Sequence, residues 1–300
     1  MLHAPLSRAQ SLLAAGGMCA VSLVFLLFIA SPVQAALGMT GLLLTELGLL
    51  ALALGGAKCL GEDLRAVFPL ARPRLRPTVG AVVLWLGAYM PVLTVAVAMQ
   101  LLLPQHTAEV STGITGLIST VPLWLRFLIV AVSPAICEEA VYRGFILHHL
   151  GVLPPWARVL LCGALFGVFH LDVTRFGSTA LLGVALSWAA VCTGNLFYPA
   201  LIHLCNNSVS VLATVALEMA AESAPEAVAT GAEAAAAVAP ATLGAYFLLC
   251  APSPWLLWAG TALLQTGAPR RPGRAKRACL CLVLTLALLA AGFALILSQG

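Results

Sequence analysis

Long stretches of apolar sequence without Asp, Glu, Lys or Arg dominate this chain, Val79–Leu103 and Ala278–Ser298 among the clearest. A helix needs about 20 such residues to cross a hydrocarbon core ~30 Å thick. In lipid every backbone N–H and C=O must be satisfied inside the protein, which leaves helices or closed barrels. The apolar runs here are continuous, not alternating, so barrel strands are excluded. Only 9% of the 300 residues are charged and 61% are hydrophobic, whereas a soluble domain carries about a quarter charged residues. The expectation is an all-α, polytopic transmembrane helical bundle of about 8–9 spans, with the lipid bilayer as its first partner. The net charge of +4 sits in short loops and gives no sign of a nucleic-acid partner. Nine cysteines lie mainly in apolar segments without a C-x-x-C pair, so neither a zinc ribbon nor a disulfide framework is indicated.

In chain order, an apolar run around Met18–Ala30 precedes Ser31-Pro-Val-Gln-Ala-Ala36, which reads as an uncleaved first span or as a signal peptide cut after Ala35. Further spans are expected at about Leu37–Ala57, Val79–Leu103, Val121–Leu150, Trp156–Leu171, Ser178–Thr193, Asn195–Leu217, Ala241–Leu264 and Ala278–Ser298. Pro104–Thr120 reads as a short polar loop, and Glu218–Pro240 as an Ala/Glu-rich loop of low complexity. This divides the chain into N-terminal spans (1–120), a central core (121–217), the Ala/Glu-rich loop (218–240) and C-terminal spans (241–300). The basic runs Lys58–Arg76 and Arg270–Arg277 belong inside by the positive-inside rule, and alternate counting of spans puts both on one side, opposite Glu218–Glu233. Each also suits anionic headgroups. A multi-pass protein of the bacterial inner membrane is expected.

The segment Ser133-Pro-Ala-Ile-Cys-Glu-Glu-Ala-Val-Tyr-Arg-Gly144 breaks this apolar pattern. Ionisable groups at bilayer depth cost a few kcal/mol or more and mark functional sites by default. Residues four apart share a helix face, so Glu139 pairs with Arg143 while Glu138 shares the neighbouring face with Tyr142. Glu139 then neutralises Arg143, with Tyr142 in support. Glu138 is left without an evident cation and free for general-base work. His170 closes Phe166-Gly-Val-Phe-His170, and His203 and Asn207 lie four apart in Leu201-Ile-His-Leu-Cys-Asn-Asn207. With a rise of roughly 1.5 Å per residue, Glu138 lies about 16 Å in from His149, His170 about 21 Å in from Trp156, and His203 and Asn207 about 12 and 18 Å in from Asn195. All four therefore reach mid-depth. Peptide hydrolysis needs a base, a group that positions water and donors for the oxyanion. Glu138 suits the first, His170 the second, and His203 with Asn207 the third. The same Glu138, His170 and His203 would be the ligands if zinc were used, in place of a cofactor-free site; there is no His-Glu-x-x-His, and the ligands would come from three helices. Ser208 lacks a G-x-S-x-G setting.

Glu-Glu-x-x-x-Arg at 138–143, Phe-x-x-x-His at 166–170 and His-x-x-x-Asn at 203–207 resemble, in this order, the three motifs of the CPBP family, the CAAX-protease and bacteriocin-processing or glutamic-type intramembrane proteases. The resemblance covers about Leu123–Val211. It implies a CPBP-type core, water activated by Glu138 and His170, an oxyanion held by His203 and Asn207, and a membrane protein or peptide as substrate. One branch, the myxosortases, processes C-terminal sorting tags, and the Ala- and Arg-rich composition is compatible with it. Other functional classes are an ion- or proton-coupled carrier, against which no inverted repeat is found, and a non-catalytic immunity or scaffold protein on the same fold. His148 and His149 read as interfacial, Asp172 with Arg175 as a local pair, and the isolated Glu46 as a neutral hydrogen-bonded acid or a substrate contact.

Overall fold

The computed structural model describes residues 6–223, 240–265 and 273–298, and among them it is helical, with no strand. Helix α1 (Arg8–Leu37) has a π-helical turn at Leu26–Ala30 and ends at Gly38, whose φ of 55° lets the chain reverse into α2 (Met39–Cys59). Then follow α3 (Leu75–Leu102), α4 (Pro104–Ile118), α5 (123–152), α6 (Pro155–Phe169), α7 (Val173–Thr193), α8 (Phe197–Ser223), α9 (Pro240–Leu264) and α10 (Arg274–Leu297). Seven of these helices are long and apolar enough to cross a membrane: α1, α2, α3, α7, α8 up to Ala220, α9 and α10. The protein is thus an integral, multi-pass, all-α membrane protein.

Two differences from the sequence reading concern the loops. Pro104–Thr120, read as a polar loop, contains a helix, because Pro104 stands at the first turn, where its missing N–H costs nothing. Helix α8 also continues past Leu217 to Ser223. The rest of the Ala/Glu-rich stretch, residues 224–239, and the start of the last basic run, Arg270 and Arg271, lie outside the described residues.

Contacts between helix ends agree with the expected alternation. At the basic end, Asn195 Nδ2 donates to Ala71 O at 3.0 Å, and its Oδ1 accepts from Phe197 N–H at 3.0 Å. Leu196 N–H donates to Pro69 O at 2.9 Å, and Arg74 N–H to Tyr198 Oη at 3.0 Å. Glu62 faces His149 Nε2 at 3.3 Å and His148 Nε2 at 3.8 Å, so these histidines have a partner across helices that the sequence did not reveal. At the opposite end Arg126 Nη1 meets Glu218 Oε2 at 2.6 Å, and His106 Nε2 meets Asp172 Oδ1 at 3.5 Å.

The apolar core joins α2, α3, α5, α6, α7 and α8 through Leu49, Leu84, Val141, Phe166, Leu186 and Ile202, all essentially inaccessible. Large apolar side chains such as Leu13, Phe28 and Leu297 point outward, as a lipid-facing surface requires. Small residues set the closest helix approaches. A Cβ on Gly163 would sit 2.5 Å from Val184 Cγ2, and one on Gly183 would sit 3.0 Å from the Gly163 backbone. Helices α6 and α7 therefore meet almost backbone to backbone, and this contact fixes the helix that ends at His170.

Candidate functional site

Helix α5 carries the glutamate pair on a short α-helical piece, Ser133–Glu139, between two π-helical turns, Phe127–Val132 and Ala140–Ile146. A π-turn inserts extra residues per turn, re-aims side chains and is frequent at functional sites. Glu138 and Glu139, about 100° apart on the α-helical piece between them, point to different partners.

Glu139 is the hub of the buried polar network. Its Oε1 accepts from Arg143 Nη1 and from His203 Nδ1, each at 2.8 Å. Arg143 also donates from Nη2 to Gly183 O at 3.0 Å and from Nε to Ser187 Oγ at 3.3 Å, and its guanidinium stacks 4.4 Å from the Phe166 ring centroid. A charge buried this deeply is tolerable only when it is paired and its donors are used. The i, i+4 spacing had given the pairing of Glu139 with Arg143. It could not give the His203 contact, which depends on how α8 is rotated against α5. Tyr142 packs edge-on against Phe166 and Phe169, with ring centroids at 5.1 and 5.2 Å. It walls the site from behind.

Glu138, His170, His203 and Asn207 all line one cavity of about 500 Å³. Among the described residues Glu138 Oε2 has no hydrogen-bond partner, and it lies 3.8 Å from His203 Nε2. His170 places Nδ1 2.9 Å from Phe166 O. A carbonyl only accepts, so Nδ1 carries the proton and Nε2 is left as an acceptor. Asn207 donates from Nδ2 to Val130 O at 3.0 Å and accepts at Oδ1 from Asn206 Nδ2 at 3.3 Å. One of its two N–H bonds is therefore spent on holding α8 to α5, and the other remains. Arg175, expected to pair locally with Asp172, lines this cavity, while Asp172 Oδ1 accepts from Thr174 N–H and Thr174 Oγ1–H at 2.7 Å each. Helix α4 closes one side through Ile114 and Leu117, and α1 and α2 contribute Gln34 and Glu46.

The donor atoms do not fit zinc. Three ligands would have to lie about 2 Å from one point, and among the described residues no three His, Cys, Asp or Glu side chains gather in that way.

Fold and site together define an integral membrane protein with a polar cavity buried among its helices. Residues 120–209, from the start of α5 to the middle of α8, match the family described as type II CAAX prenyl endopeptidase Rce1-like. The match spans 90 of the 300 residues, and over that stretch the chain is similar to this endopeptidase family. No curated protein and no solved structure matches the chain.

Proposed function

We infer that this protein is an intramembrane endopeptidase that hydrolyses a peptide bond of a membrane-associated or C-terminally tagged polypeptide with a water activated by glutamate and histidine. The observation that carries the reading is the convergence of Glu138, His170, His203 and Asn207, from α5, the end of α6 and α8, on one cavity. Glu138 Oε2, without a hydrogen bond among the described residues, takes a proton from water as oxygen attacks the scissile carbonyl. The lone pair of His170 Nε2 holds the same water. The remaining N–H of Asn207 faces the developing oxyanion, joined by His203 Nε2 when that ring is doubly protonated and braced by Glu139 at Nδ1. Glu138 then returns its proton to the departing amine, the C–N bond breaks, and a carboxylic acid and an amine are left.

The family name speaks of prenylated CAAX tails, and polypeptides held at the membrane by a lipid or a C-terminal segment are the first substrates to try. The test compares membrane-protein termini by proteomics in cells expressing the wild type or Glu138→Gln. New termini confined to the wild type are expected, with cleavage reduced on the order of a thousandfold or more in the variant, which stays in the membrane. Equal cleavage by both forms removes Glu138 as the base.

A further inference from the structure

Glu46 belongs to α2, outside residues 120–209, and lines the same cavity as Glu138. Only 3% of its surface is exposed, and among the described residues no hydrogen bond reaches its Oε2. The ionisable groups within its electrostatic reach are Glu138, another carboxylate, and the Cys137 thiol. Of the two arginines of the site, Arg143 is bonded to Glu139, and Arg175, which lines the same cavity, has Glu138 and Asp172 rather than Glu46 within its electrostatic reach. Among the described residues no cation pairs with Glu46, and a buried acid of that kind is costly unless something pairs with it.

Its surroundings say what fits. On α2 the cavity wall around Glu46 is Leu42 and Leu49, one turn to either side, with Thr45, whose hydroxyl is spent on Gly41 O and Gln34 Nε2, and the facing helices add Leu26, Ile114 and Ile129. An apolar sleeve with a carboxylate along it matches a side chain with a methylene stem and a cationic head, since lysine and arginine bury their stems and carry charge only at the tip. We propose that Glu46 forms a specificity subsite that receives a lysine or arginine side chain of the substrate near the scissile bond. The proposal rests on the endopeptidase reading above and adds a substrate class to it.

Full-length protein in liposomes, supplied with quenched fluorescent peptides that vary one position at a time among lysine, norleucine and glutamate, tests this. At one position the wild type is expected to favour lysine over norleucine by roughly ten- to a hundredfold in kcat/KM, the span of one charge-assisted hydrogen bond. In Glu46→Gln that ratio is expected to fall to near one, through KM, and Glu46→Lys is expected to favour the glutamate peptide. A wild type without lysine preference at any position overturns the subsite whatever the variants do. So does a preference that survives in Glu46→Gln, or an equal loss on all peptides, which would mark a role in chemistry or folding. Cleavage that persists in Glu138→Gln sinks the endopeptidase mechanism instead and leaves the lysine ratio as a separate result.

Discussion

Glu139 Oε1 lies 2.8 Å from His203 Nδ1 while it also accepts from Arg143, so one carboxylate oxygen ties α5 to α8 and neutralises a buried guanidinium. Neighbouring Glu138 makes no such bond from Oε2. Two adjacent residues of the same type therefore have separable duties.

Glu139→Gln leaves Arg143 as an unpaired buried charge, and breaking a buried pair in this way costs about 3–5 kcal/mol. Thermal unfolding in detergent is expected to show a large fall in Tm for Glu139→Gln. Glu138→Gln, which removes no bond at Oε2, is expected to unfold near the wild-type temperature while losing cleavage. Equal stability of the two variants would show that Glu139 is not the hub.

A second expectation concerns the glycine contact between α6 and α7. Gly163→Ala places a methyl 2.5 Å from Val184 Cγ2 and 2.7 Å from Val184 N, and the backbone atom cannot turn aside. Overpacking of this kind costs about 1–3 kcal/mol, and separating the helices displaces His170 at the end of α6. Gly55→Ala on α2, which meets nothing within 4 Å, serves as the comparison and is expected to be neutral or stabilising by up to about 1 kcal/mol. Tm and cleavage rate measured on both variants check the pair, and activity is expected to fall only in Gly163→Ala.

Most of the membrane-spanning pattern was legible in the sequence because lipid enforces it residue by residue: seven of the nine expected spans correspond to α1, α2, α3, α7, α8, α9 and α10, whereas Val121–Leu150 is broken by π-helical turns and Trp156–Leu171 forms a helix of only 15 residues. Helix α4 was not, because Pro-Gln-His-Thr-Ala-Glu-Val-Ser-Thr-Gly mixes poor helix formers with polar residues, and its apolar face appears only once Ile114 and Leu117 meet the cavity. The order of the three motifs could be read along the chain. Helix rotation could not. It decides that Glu62 meets His149, that Glu139 meets His203 and that Glu46 turns inward to the cavity, and each depends on how whole helices pack.

The turn between α6 and α7 supports a pH-dependent expectation. Leu171 has a φ of 52°, which costs a non-glycine residue about 1 kcal/mol or more, and Asp172 caps α7 just after it through Thr174. Burial acts to raise the Asp172 carboxyl, but the bonds from the Thr174 hydroxyl and N–H, with the Arg175 N–H and the nearby His106, outweigh it and hold the group below its ordinary value. A carboxyl depressed in the folded state stabilises fully above its unfolded value, and that contribution is lost as pH falls through the folded value. Acidification below the ordinary aspartate range is therefore expected to weaken the cap beside His170. Asp172→Ala removes the cap at neutral pH for about 1 kcal/mol. Asp172→Asn keeps an acceptor for Thr174 and is expected to show a shallower acid dependence. Thermal unfolding of the three proteins between neutral and acid pH reads the difference. Parallel pH curves for the wild type and Asp172→Asn would place the acid-sensitive contact elsewhere.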